Sequence, residues 1–337
     1  MVRKLMTLAA VALAALSSPL APDARAADAP KIVLAPPGVP PIFGSIIVFV
    51  AEKEGFFKKY GANVELRQFD NGTAASRAVV SGDIDASMSP TPLLVSQVAN
   101  AGVPLVAIYG LPKPDFELGT TDASKATCAA VKGQQVGVDT PGGARSIALK
   151  TILAGGCHMS LDDVQQVALG SNTASAMIAG QIKYGILHLD DVPDIESHGK
   201  KVSIIKTQTE SSPLGHWIVL IARKDKLAKE RDAFVRMIAG IIAAGHFMAD
   251  PKNAEKVATI AEVTGRSHTI ALGALKKYVS FGLWPINNDG LDEKQIDGYI
   301  KVLAKAGNIK EGKTPPTFAQ LVDPTIWRDA NALVAKH

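Results

Sequence analysis

Residues 63–109 read NVELRQFDNGTAASRAVVSGDIDASMSPTPLLVSQVANAGVPLVAIY. Short apolar runs alternate here with segments of helical period. Asn63 to Phe69 has the length and branching of a strand, and Gly72 to Ser81 spaces its apolar residues as a helix does. Ile84 to Met88, Pro92 to Ala101 and Leu105 to Tyr109 then read as strand, helix and strand. A helical crossover between successive strands makes them parallel and lays helices on the sheet faces. The stretch therefore sets the fold class as α/β.

The same alternation extends in both directions. Lys31 to Ala35 reads as a strand followed by a helix over Phe43 to Glu54. A second series holds strands at Gln135 to Val138, Val164 to Ala168, Tyr184 to His188 and Val202 to Ile205, with helices between them. After a strand at Ile218 to Ala222, the segments Lys226 to Met248, Pro251 to Thr264, Thr269 to Val279 and Leu291 to Ala306 all read as helices. Turn-rich stretches at Gly110 to Asp122 and Thr207 to Gly215 set the second series apart. The expected architecture is two doubly wound α/β lobes with parallel sheets, joined by two crossing segments, with a cleft between them. Residues 27–117 and 211–337 form lobe 1, which includes the helical C-terminal part, and 118–210 form the inserted lobe 2.

Met1 to Ala26 reads as an export signal. Arg3 and Lys4 form a positive head, Leu5 to Leu16 a short apolar core, and Ala24-Arg25-Ala26 a small-x-small cleavage pattern. Pro19 and Pro22 oppose a continuous buried helix there. No Cys stands near the cut, so a soluble periplasmic protein is expected rather than a lipid-anchored one. Without Arg3, Lys4, Arg25 and Asp23, the 36 basic and 32 acidic residues become 33 and 31. So even a balance argues against a nucleic-acid partner. No apolar run after the signal is expected to span a membrane; Trp217 to Ala222 and Met237 to Phe247 read as a buried strand and a buried helix.

Cys128 precedes the strand at 135–138, and Cys157 follows the helix after it. A βα unit returns the chain to the edge where it began, so the two should meet, and in an oxidising compartment a disulfide is expected. Two separately buried thiols are the alternative. Their spacing matches no metal site.

In open α/β sheets ligands bind beyond the carboxyl ends of the strands, where helix N-termini point. Four helix starts qualify: Pro40 to Gly44, Ser89 to Pro92, Thr140 to Gly143 and Gly170 to Thr173, the last including Asn172. Each leaves backbone N–H groups that favour an anion, although ordinary capping explains any one of them alone. Asp139 to Arg145 is the sharpest, since Gly142 and Gly143 admit close approach and Arg145 either reinforces an anion or faces solvent. His188, before Asp190 and Asp191, and His216, beside Trp217, border the expected cleft, while His158, His198, His246, His268 and His337 lie elsewhere. A metal site at His188, Asp190 and Asp191 fits no trusted spacing, and no Gly-x-Ser-x-Gly or Ser-x-x-Lys nucleophile motif occurs.

At these residues the chain resembles the periplasmic solute-binding proteins of the sulfonate/nitrate/taurine and thiamine-pyrimidine-precursor type, which serve ABC importers. The resemblance rests on Ala51 to Phe57 with Tyr60-Gly61, Ala78 to Asp85, Gly133 to Val138, and Ala179 to Ile182. It implies the type II periplasmic-binding fold, no enzymatic activity, no cofactor, ABC permease subunits of the inner membrane as partners and a monomeric chain. It places ligand contacts at Pro41 to Gly44, Ser89 to Thr91, Thr140 to Arg145 and the strand end at His188. Thr140, Gly142, Gly143 and Ala144 would hold an acidic group, with Arg145 in support. Ser89, Thr91 and Asn172 would add hydrogen bonds, Ile42 and Phe43 cover the apolar body, and His188 and His216 close the wall. Sulfonate binders of this type carry a Ser-Ser pair where Gly142-Gly143 stands, many carry Trp near His188, and an Asp at Lys183. The expected solute is thus a small organic anion, such as a carboxylate, an aromatic acid or a sulfonate-like compound. The alternatives are a neutral heterocycle such as a thiamine pyrimidine precursor, an enzyme on the same fold, and a sensor partner.

Overall fold

Among residues 29–336, which the computed structural model describes, ten strands form two five-stranded sheets. The export signal read in Met1 to Ala26 lies outside the described residues. The strands are β1 (Lys31–Ala35), β2 (Asn63–Leu66), β3 (Ala86–Pro90), β4 (Leu105–Leu111), β5 (Glu117–Thr120), β6 (Gln135–Val138), β7 (Gln165–Ala168), β8 (Tyr184–Leu187), β9 (Ser203–Thr207) and β10 (Ile218–Arg223). Their order is β2-β1-β3-β10-β4 in one sheet and β7-β6-β8-β5-β9 in the other.

The two-lobed α/β fold holds, but the sheets are mixed rather than parallel. β1 pairs in parallel with β2 and β3, and β6 with β7 and β8, as helical crossovers require. β10 runs antiparallel between β3 and β4, and β5 antiparallel between β8 and β9. Both of these strands enter a sheet directly from the other one, with no long helical crossover to turn them round. β5 escaped the sequence reading because its four residues follow Pro112 and Pro114 in a stretch that reads as turns. The helix expected over Lys226 to Met248 is two, Lys224–Lys229 and Arg231–Ala249, separated at Glu230.

Local chemistry sets the other helix ends. Asn71 caps the helix Gly72–Ser81 by accepting from the Ala74 N–H at 2.9 Å, and Gly82 stops it at φ +86°. β3 and β4 are buried along their whole length, as strands covered on both faces must be. The helix Arg231–Ala249 matches a membrane span by length and composition alone, and its burial agrees with the buried helix read at Met237 to Phe247. Here Phe234, Met237, Ile238, Ile241 and Ile242 are buried, and the helix packs on Ile46–Lys53 and Pro324–Val334.

Two buried joints follow from this packing. Cys128 and Cys157 are disulfide-bonded, with Cα atoms 5.4 Å apart. His216 is buried; its Nε2 donates to the Gly290 carbonyl at 2.8 Å, and its Nδ1 accepts from the Thr91 hydroxyl at 2.8 Å. That pattern is neutral imidazole, and burial pushes the ring down from 6.5 to about 4.

Replacing both cysteines by Ser should lower stability by about 3–4 kcal/mol, since the bond closes a sequence separation of 29. A melting temperature about 5 °C lower would report this. For His216, the unfolded chain binds a proton that the folded chain refuses between about pH 4 and 6.5. Its contribution is therefore full above that window and is lost as pH falls through it, by roughly 3 kcal/mol. Urea midpoints at pH 7 and 4.5 should converge in His216→Asn relative to the parent protein.

Candidate functional site

The cavity between the lobes lies at the carboxyl ends of six strands and is partly open to solvent. Lobe 1 contributes Pro37, Gly38 and Ile42 after β1, Asp70 to Gly72 after β2, and Met88 and Pro90 of β3. The inserted lobe contributes Asp139, Ala144 and Arg145 after β6, Gly170 and Ser171 after β7, and His188 after β8. Phe116 and Trp217, on the two crossings, complete the wall with Ile218. Phe116 sits 4.5 Å from the His188 ring and edge-on to Trp217 at 5.8 Å, making one apolar, aromatic side.

Of the residues named from sequence, Ile42, Ala144, Arg145 and His188 line this cavity. The other eight sit around it. Phe43 is buried with its ring stacked 5.1 Å from Tyr278. The Ser89 hydroxyl is shared with Ser87 at 2.8 Å and the Gly72 carbonyl at 3.2 Å. Thr91 and His216 bond each other behind the wall. Thr140 does not cap the following helix Ala144–Ile152 with its side chain; Gly143 is the N-cap, and its N–H donates to the Thr140 carbonyl at 2.8 Å. The Gly142 N–H donates to Ser146 Oγ at 3.1 Å, and Gly142 opens on a neighbouring hollow beside Pro92 and Lys150. Asn172 is the N-cap of Thr173–Ile178 without a side-chain bond, next to Ser171 of the wall.

Gly143 is needed for a reason the sequence did not disclose. A Cβ there would lie 2.4 Å from Asp139 Oδ2, so the protein's own carboxylate packs against this turn. Asp139 also accepts the Thr140 N–H at 2.8 Å. The helix start with the strongest anion signal already faces a negative charge.

Arg145 lines the cavity, but part of its guanidinium is committed within the protein. It is buried; Nη1 donates to Asp191 Oδ2 at 2.9 Å and also to the Ile186 carbonyl. Asp191 is shared, receiving the His188 peptide N–H at 2.8 Å and Arg266 Nη2 on its other oxygen. Arg266, from lobe 1, reaches further to Asp190, where Nε donates at 2.9 Å, and to Asp194. Tyr278 lies between Asp115 and Asp190, 2.8 Å from Asp190 Oδ1, and Asp115 takes His188 Nδ1 at 2.9 Å. Burial raises the Asp191 carboxyl, but Arg145, Arg266 and the His188 peptide N–H outweigh it and hold the group well below the usual range. Burial and then the two carboxylates push the Tyr278 phenol well up, so it stays a donor.

Sequence reasoning missed Asp70, Asn71, Gly72, Met88 and the wall roles of Phe116 and Asp139. Asp70-Asn71-Gly72 was readable: it is a fifth helix start at a strand's carboxyl end, of the same kind as the four named. Arg266 and Tyr278 had no local signal, since they sit among helices remote in sequence from their partners.

Residues 43–254 match the family described as NMT1/THI5 like. A curated binding protein of Brucella abortus (strain 2308) is 24% identical over 281 residues, which cover 82% of this chain and 86% of that protein. A structure from Bordetella bronchiseptica RB50 superposes with a TM-score of 0.75 at 21% identity, covering 90% of this chain and 97% of that one. The ligand binding component of an ABC-type import system from Staphylococcus aureus, solved with zinc bound, gives 0.69 at 15% identity, with 89% and 98% covered. These likenesses establish the fold, that of periplasmic binding proteins. The family match spans more than half of the 337 residues, and on that ground the chain belongs to the NMT1/THI5-like family.

Proposed function

We propose that this protein is the non-enzymatic solute receptor of an ABC importer, exported to the periplasm. The inserted lobe 118–210 and the remainder would close on one small nitrogen heterocycle that carries hydrogen-bond donors. The family and the fold of its structural neighbours support the receptor role, and the signal read in Met1 to Ala26 supports the compartment, as does the disulfide.

The choice of solute rests on one observation: the guanidinium in the cavity wall is already tied to a buried carboxylate, while Asp70 and Asp139 stand in the wall. Behind them Asp190, Asp191 and Asp194 share Arg266, with Arg145 on Asp191 as well, and Asp115 is held by His188 and Tyr278. An anion brought into that field would lose its hydration and gain little attraction. A neutral heterocycle stacks on the aromatic side and donates to the acceptors. The geometry thus favours the heterocycle over the organic anion that the helix starts suggested.

Thermal-shift screening decides between them, because a solute that binds only the folded state raises the melting temperature. Aminopyrimidines should raise it by several degrees, and carboxylates, sulfonates and nitrate should not. A shift with anions alone sinks the heterocycle reading. Asp139→Asn should weaken aminopyrimidine binding by about fivefold or more while leaving the melting temperature of the free protein nearly unchanged. Gly143→Ala should act in the same direction by displacing the Asp139 carboxylate.

A further inference from the structure

His188 lines the cavity, and every part of its surroundings except one ring nitrogen is accounted for. Nδ1 lies 2.9 and 3.0 Å from the two oxygens of Asp115. A carboxylate only accepts, so Nδ1 carries the proton. Asp115 is buried and held in turn by the Tyr278 phenol, whose ring is stacked on Phe43. The His188 peptide N–H is anchored on Asp191, and Phe116 packs against the imidazole. The ring cannot turn over without stranding Asp115, and Nε2 is the nitrogen left for the solute.

The charged groups around the ring are held by contacts of their own. The Arg145 guanidinium binds the same Asp191 oxygen as the His188 peptide N–H. Tyr278 donates into Asp115, while Asp190 and Arg266 lie one contact further away. We propose that Asp115 is a positioning residue that holds neutral His188 with its Nε2 lone pair toward the solute. The site then selects ligands that offer an N–H or O–H donor at that point over isosteres lacking one. This selectivity rests on the heterocycle reading above, whereas the tautomer belongs to the ligand-free protein.

Two measurements separate these. NMR of the protein labelled with 15N at histidine, at pH 7 without solute, reads the tautomer, with the His188 signals assigned by their loss in His188→Gln. A neutral ring protonated at Nδ1 is expected; an imidazolium, or a ring protonated at Nε2, overturns the proposal. In Asp115→Asn, whose amide both donates and accepts, the two tautomers should mix. Calorimetry with 4-aminopyrimidine and 4-methylpyrimidine reads the selectivity. The amino compound should bind at least about tenfold more tightly, the cost of leaving a buried acceptor unpaired. That preference should shrink to about twofold in Asp115→Asn. Equal binding to the parent protein overturns the selectivity even if the variant does not fold. If neither compound binds, the heterocycle reading falls with the selectivity, and the NMR result still decides the tautomer.

Discussion

Arg266 is the pivot of the structure. It reaches out of the C-terminal helical part of lobe 1 to three carboxylates, Asp190, Asp191 and Asp194, at the start of the helix Asp191–Ser197 in the inserted lobe. Buried charge without a partner costs several kcal/mol, so these groups hold one another in place once they are out of water. Asp191 passes the constraint to Arg145 and to the His188 backbone, and Asp190 passes it through Tyr278 to Asp115 on the crossing. The end of β8, the start of the helix after β6 and the first crossing are thereby set relative to one another.

The same network defines what the cleft offers. Without Asp191 and Arg266, Arg145 would be a bidentate anion donor beside a glycine turn, as its sequence context suggests. Tied to Asp191, it orders the wall and leaves little net positive field. Asp139 packs its carboxylate against the Gly143 turn, the second element whose sequence suggested an anion. The cleft is left with an aromatic side formed by Phe116 and Trp217, and with the Asp70 and Asp139 carboxylates and the His188 ring in its wall.

Much of the fold was legible. β1, β6 and the helix Gly72–Ser81 fall where their periodicity puts them, and the cysteines meet as the βα geometry requires. β5 was not legible, because four residues behind two prolines carry no periodic signal and are ordered only by β8 and β9 on either side. In the candidate site, four of the residues named from sequence, Ile42, Ala144, Arg145 and His188, line the cavity between the lobes. The sequence did not tell which groups face inward. Phe43, Thr91 and His216 were named for positions near the cleft, yet each spends its polar or aromatic surface on a partner behind the wall.

By itself, then, the sequence determined the α/β alternation, the bounds of the helix Gly72–Ser81 and the closeness of Cys128 to Cys157. These depend on hydrogen bonds, caps and apolar spacing within a few residues, or on one short supersecondary unit. Tertiary structure alone decided the antiparallel insertion of β5 and β10, the neutral burial of His216 and the neutralisation of Arg145. Arg145 meets Asp191 at 46 residues' separation, Arg266 meets it at 75, and Tyr278 meets Asp115 at 163. No local pattern encodes such pairs, because the desolvation that makes them binding arises only on tertiary packing, within the inserted lobe for Arg145 and between the lobes for Arg266 and Tyr278.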